Sequence, residues 1–165
     1  MEMTIFFGGS SFEHEISIVS AISLKKVLKK TKLSYIFVDQ DRDFYLIEDT
    51  NMKSTYFSSA KYKKSQKLQI TNGGFVASSF LKKNYIKIGT ALNLIHGRDG
   101  EDGKLSSLFD FFNIPYIGPR VDASSLSYSK LLTKYFAKSI GVHILDFEIV
   151  DNNNREITID FPNQL

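Results

Sequence analysis

Thr4-Ile5-Phe6-Phe7 is a short unbroken apolar run halted by Gly8-Gly9, the pattern of a buried strand entering a tight turn. From Glu13 the period becomes helical, with Ile16, Val19, Leu24, Val27 and Leu28 assigned to one face and lysines crowding the last turn. Ser10 or Ser11 is placed to cap this helix, and the lysines suit the negative end of its dipole. Tyr35-Ile36-Phe37-Val38 predicts a second strand. Strand, helix, strand is the opening of a doubly wound α/β sheet.

Residues 39–89 follow a different rhythm. Asp39 to Asp43 reads as a turn, and Phe44-Tyr45-Leu46-Ile47 as a strand pairing back onto the one before it. Short β-type runs follow at Leu68-Gln69-Ile70, Phe75-Val76-Ala77 and Tyr85 to Ile88, with Asn72-Gly73-Gly74 as a hairpin signal. These runs predict a small β insertion over 50–89. Ala91 to Ile95 then resumes the parallel sheet and meets a glycine-rich loop, His96 to Gly103. A helix over 104–112, a short strand at Tyr116-Ile117 and Gly118-Pro119 complete the unit.

Beyond it, Leu132, Phe136 and Ile140 recur every four residues while Lys130, Lys134 and Lys138 line another face, and Gly141 is the stop signal. A strand is predicted over Leu145 to Val150, a turn over Asp151 to Asn154, and a further apolar run at Ile157-Thr158-Ile159. The chain reaches Leu165 with no element to cover a second sheet, so it reads as truncated.

Composition narrows the class. The 165 residues are 42% apolar and 24% charged with 3 prolines, a globular profile rather than a disordered one. The lack of cysteine excludes disulfide frameworks, thiolate zinc sites and cysteine nucleophiles. No apolar run is long enough for a membrane span, and Met1-Glu2-Met3-Thr4 does not open a secretory signal, so the expected location is the cytoplasm. Lys+Arg 21 against Asp+Glu 18 leaves +3, and the arginines (Arg42, Arg98, Arg120, Arg155) are scattered. So small an excess does not predict nucleic-acid binding.

Two loops concentrate special residues at the carboxyl ends of predicted parallel strands, the edge where open α/β sheets bind ligands. Gly8 to Glu15 combines glycines with a helix start, a setting that can receive an anion. It matches neither the dinucleotide fingerprint nor the P-loop; a turn with a serine cap explains it equally well. His96 to Gly103 holds four side chains able to ligate a metal (His96, Asp99, Glu101, Asp102), but the EF-hand register and the H-E-x-x-H spacing are both absent. A solvated loop capping the next helix remains the alternative.

Taken in order, the blocks carry more than their composition. Phe7 to Ser17 with Ser20-Ala21, then His96 to Gly103, then Ile114 to Gly118, then Ala123 to Lys130 resemble the successive signatures of the D-alanine–D-alanine ligases. That family belongs to the ATP-grasp ligases. The resemblance implies an α/β fold: a Rossmann-like open parallel sheet over 1–121, carrying the 50–89 insertion, and the start of a central α+β domain over 122–165. It implies ATP-dependent joining of two D-alanines through an acyl phosphate, for peptidoglycan synthesis. Mg²⁺ (or Mn²⁺) would bridge the phosphates, with its ligands expected beyond Leu165. A homodimer is the implied assembly, with ATP and D-alanine as small-molecule partners and no nucleic acid or membrane.

Residue by residue, Glu13 matches the family glutamate that holds the ammonium of the first D-alanine, a task for an ionised carboxylate oriented by backbone N–H groups. His96 matches the loop histidine near the substrate carboxyl or acyl phosphate, where an imidazole N–H would donate. Glu101 and the glycines are expected to shape the loop. Lys130 aligns with the first lysine that contacts ATP. The sequence departs from the family at Ser106-Ser107, where Gln-Gly is usual, and at Asp110, where a glutamate is usual. The alternatives are a ligase making a D-alanine–D-lactate depsipeptide, and a non-catalytic α/β binding module. Residues 1–165 alone are expected to make no dipeptide.

Overall fold

A computed structural model describes residues 2–78 and 83–149. The chain opens with β1 (Glu2–Gly8), α1 (His14–Val27), β2 (Lys32–Val38) and β3 (Phe44–Ile47). A short helix, α2 (Ser54–Ser58), precedes β4 (Gln66–Thr71), β5 (Gly74–Ser78), β6 (Lys83–Lys87) and β7 (Thr90–Asn93). Then come α3 (Lys104–Phe111), β8 (Tyr116–Ile117), α4 (Val121–Tyr128) and α5 (Lys130–Ser139).

Among the described residues the strands form one 8-stranded sheet in the order β6-β5-β4-β3-β2-β1-β7-β8. β2, β1, β7 and β8 run parallel, as the strand–helix–strand reading requires. The remaining strands are antiparallel and extend the same sheet. The predicted β insertion therefore supplies three of the eight strands of the main sheet and is not an appendage to it. Connections as short as Asn72-Gly73 can join only antiparallel neighbours.

Strand alternation sorts the core into two layers. Phe6, Ile36 and Val38 face one way and pack with Leu68, Phe75, Leu105 and Phe109, so the meander and α3 share a core. Phe6 meets Phe75 and Phe109 at ring-centroid distances of 5.8 and 4.8 Å. The sheet curls far enough for the β4–β5 turn to reach the end of α3, where Gly73 N–H donates to Phe112 O at 2.6 Å. Ile5, Phe7, Tyr35 and Phe37 face the other way, under α1 and α2. Each fully buried Phe or Ile contributes roughly 1.5–3 kcal/mol by leaving water.

α1 buries only part of the face the periodicity selects. Ile16, Val19 and Val27 are exposed; of the predicted face Leu24 packs against the core, Leu28 is half-buried, and the sheet is covered mainly by Ser17, Ile18 and Ala21. The small residues let the helix lie close to β1. Neither serine caps this helix: Glu13 occupies the N-cap position with no side-chain cap bond, and Ser11 Oγ accepts only from Glu13 N–H, at 3.1 Å, ahead of the first turn. α4 was not expected from the pattern. Leu145–Ile149 forms no strand, because no partner edge lies beside it among the described residues. Val150 and the turn and apolar run over 151–159 lie outside the described residues. On α5, Leu132, Phe136 and Ile140 remain half exposed or more. No helix among the described residues is long and apolar enough to cross a membrane.

Candidate functional site

The site forms where β1 and β7 end. Gly8 has φ +97, and a Cβ there would stand 2.3 Å from Val38 O, so only glycine lets the chain leave β1 at this point. Gly9 N–H donates to that same Val38 O at 2.7 Å. His14 anchors the loop from its far side: its Nδ1 lies 2.6 Å from Gly9 O and its ring packs edge-on against Phe37.

Two adjacent serines tie this loop to the second one. Ser11 Oγ donates to His96 O at 2.7 Å. Ser10 Oγ donates to Asp99 Oδ2. A Cβ on Gly97 would stand 2.8 Å from Glu13 Oε2, which places the Glu13 carboxylate directly over the backbone that follows His96. The loops that carry Glu13 and His96, 83 positions apart in the sequence, are thus joined side by side.

The second loop is braced from within. Asn93 Nδ2 donates to Gly100 O at 2.8 Å, and Asn93 Oδ1 accepts from Ile95 N–H. Asp102 accepts from the Lys104 backbone and pairs with its ammonium. Asp99 pairs with Arg42 at 2.9 Å, with Lys104 Nζ at 3.6 Å. Burial pushes both carboxyls up, but the bonds from Ser10, Arg42 and Lys104 outweigh it and hold Asp99 and Asp102 below the ordinary carboxylate range. Glu101 was expected to shape the loop; it is half exposed and reaches only His96 Nδ1, at 3.7 Å. The shaping acids are Asp99 and Asp102.

Two cavities flank the junction. One of about 500 Å³ is lined by Ser10, Ser11, Phe12, Glu13, Gly97, Arg98 and Tyr128. The other, about 410 Å³, includes His96, Glu101, Ser124, Ser127 and Tyr128. Tyr128 lines both and lies at the end of α4, a helix the sequence pattern did not reveal. Ser124 is buried, and its Oγ has no hydrogen-bond partner. Lys130 stands exposed at the start of α5 and lines neither cavity; Ser129 caps that helix by accepting from Leu132 N–H. Ser106 and Ser107 satisfy themselves locally on Pro119 O and Gly103 O, and Asp110 pairs with Arg120.

Among the described residues no group of three or more His, Cys, Asp or Glu side chains could hold a metal ion. Asp99 and Asp102 are already engaged by cations of the chain itself. These residues do not fit a Mg²⁺ site, and no step through a metal is derived from them.

An acidic side chain over a glycine-rich backbone, with a histidine in the adjoining cavity at the carboxyl edge of a partly parallel sheet, is the setting in which α/β folds bind small molecules. Comparison with known proteins gives the family: the profile described as "D-ala D-ala ligase N-terminus" matches residues 2–119, and the chain belongs to that family. A D-alanine–D-alanine ligase of Sulfurovum sp. is 53% identical over 163 residues, 98% of this chain and 47% of that protein. The crystal structure of the Helicobacter pylori ligase superposes with a TM-score of 0.89 at 49% identity, covering 98% of this chain and 53% of that one. The Coxiella burnetii ligase gives 0.77 at 29% identity, covering 88% and 44%. The chain spans about half the length of the curated relatives it matches.

Proposed function

We propose that this chain is the N-terminal part of an ATP-dependent ligase that joins two D-alanines for peptidoglycan synthesis in the cytoplasm. The observation that carries the reading is the stitching of the Glu13 loop to the His96 loop by Ser10 and Ser11, with Glu13 over Gly97. A carboxylate that forms no ion pair with a cation of the chain among the described residues suits the ammonium of an amino acid. His96, in the adjoining cavity, is assigned to the carboxyl of that substrate, where an imidazole N–H would stabilise charge developing on oxygen. Lys130 is assigned to ATP phosphate. Mg²⁺ (or Mn²⁺) would supply charge neutralisation between phosphates, from ligands outside the described residues.

The protein is proposed to work as a homodimer; the apolar Ile16, Val19 and Val27 exposed along α1 support an assembly in which a second copy covers them. Residues 1–165 alone are proposed to be inactive, since they match less than half of the Sulfurovum ligase. The test is made on the full-length protein with ATP, Mg²⁺ and D-alanine, following D-alanyl-D-alanine and phosphate together. Glu13→Gln keeps the shape and removes the charge. A hydrogen bond to a charged group contributes roughly 1.5–3 kcal/mol, so kcat/KM for the first D-alanine is expected to fall about 10- to 150-fold. Wild-type kinetics at both D-alanine sites would remove Glu13 from the reaction.

A further inference from the structure

Four non-glycine residues among those described adopt positive φ: Arg42, Ala60, Asp99 and Asn113. Two of the four are bonded to each other. Arg42 at φ +67 and Asp99 at φ +72 meet in a forked contact, Nε to Oδ2 at 2.9 Å and Nη2 to Oδ1 at 3.3 Å, across 57 positions of sequence. Such backbone conformations persist only where surrounding contacts over-determine them, and they gather at functional sites.

The turn that carries Arg42 is itself rigid. Asp39 is 2% exposed, and its Oδ1 accepts from the N–H groups of Asp41 and Asp43. Arg42 N–H donates to Asp39 O and Asp39 N–H to Asp43 O, closing the turn at the end of β2. From this fixed point the contact runs outward: Arg42 to Asp99, and Asp99 to Ser10, whose neighbour Ser11 holds His96 O. Asp99 is only 13% exposed, while Arg42, 54% exposed, reaches it from the solvent side, so the forked geometry and the second bond from Ser10 hold the carboxylate rather than burial of the pair. Three segments, the β2–β3 turn and both site loops, converge on one carboxylate.

We propose that Arg42 and Asp99 act together as positioning residues, fixing the separation of the Glu13 and His96 loops and so the geometry of the pocket for the first D-alanine. The proposal rests on the functional reading above. Neither residue lines either cavity; Asp99 acts through Ser10 and through the backbone between His96 and Gly100. A loss of order 1 Å in placement can cost up to about 100-fold in the step that depends on it.

The full-length protein carries the test, as Asp99→Asn, Arg42→Met, the double variant and Arg42→Lys. The expected result is a KM for the first D-alanine raised roughly 10- to 100-fold in each of the first two, with kcat and the KM for ATP within about twofold. The double variant should be no worse than the poorer single one, and Arg42→Lys, which keeps charge without the fork, should lie between wild type and Arg42→Met. A purely structural role would lower the active fraction, and hence kcat, and leave that KM alone. Hydrogen exchange of peptides covering 8–13 and 96–103 should quicken in the same variants. If wild type makes dipeptide and the KM does not move, the proposal is overturned. If wild type makes none, the functional reading fails by itself, and exchange decides the clamp: faster in both loops sustains it, unchanged refutes it.

Discussion

Gly97→Ala separates stability from binding at the junction of the two loops. Gly97 has φ +68, and the added methyl would lie 2.8 Å from Glu13 Oε2, 3.3 Å from Ser11 Cβ and 3.4 Å from Ser11 Oγ. The left-handed conformation costs an alanine roughly 1–2 kcal/mol, and that penalty falls on folding. The clash is a different matter. It is made mostly with the far end of an exposed, flexible side chain, so Glu13 swings aside and the backbone stays. Stability therefore drops by about the conformational penalty alone, read as a urea midpoint shift at unchanged slope. Binding suffers more, because the displaced carboxylate is the group assigned to the ammonium. A displacement of order 1 Å predicts a KM for the first D-alanine raised about 10- to 100-fold in the full-length enzyme. In a Glu13→Gln background the same change should add little, since the interaction it disturbs is already gone. A normal KM in the single variant, or full additivity in the double, would refute the placement of Glu13 over Gly97.

Phe37 contacts Phe57 and Tyr62 at ring-centroid distances of 4.9 and 4.6 Å and packs against Phe7 and His14. Phe37→Ala is expected to cost about 3–5 kcal/mol, measured by chemical denaturation, and a loss under about 1 kcal/mol would mean the site collapses around the deletion. Acid sensitivity gives a further check. Asp99 has a folded-state pKa below its unfolded value, so its ionised form stabilises the fold above about pH 4, and that contribution disappears as pH falls through the lower folded value. The stability gap between wild type and Asp99→Asn should accordingly be widest near neutrality and close in acid; a gap that stays constant from pH 7 to pH 2.5 would contradict it.

What the sequence revealed was local. Thr4–Phe7 and Tyr35–Val38 were readable because unbroken apolar runs ending at glycine or aspartate leave little choice but buried strands, and Asn72-Gly73 marked its hairpin. α3 and β8 also fall where pattern put them. Side-chain partners were not legible. Periodicity weights Ile16, Val19 and Val27 by their size, yet the face of α1 that meets the sheet is chosen by fit and by hydrogen bonding, and Ser17, Ile18 and Ala21 win. That β4, β5 and β6 continue the main sheet depends on pairings with no local signature. α4 is rich in serine, with no strong apolar face to betray it. In the site, Glu13 and His96 came from motif resemblance. Arg42 and Asp99 gave no signal, because an ion pair between distant residues exists only once the fold has formed.

Ser17 shows why the same physics governs both core and site. It is fully buried on the sheet-facing side of α1, where an alanine would pack as well. Its Oγ accepts from Gly8 N–H at 2.8 Å and donates to Leu94 O at 2.6 Å. Those groups belong to the places where β1 and β7 stop pairing and their chains turn away into the two loops. A strand that ends inside the core leaves polar backbone groups without ladder partners, and each unsatisfied one costs roughly 1–3 kcal/mol. One hydroxyl answers both. It does so from a helix whose start lies one residue beyond Glu13, so satisfying the strand ends also fixes where α1 begins. The backbone of Glu13 is thereby set by the core: α1 can neither slide nor rotate without stranding Gly8 N–H and Leu94 O. The apolar layers hold the sheet, and this single polar joint converts their rigidity into a defined position for Glu13 beside the His96 loop.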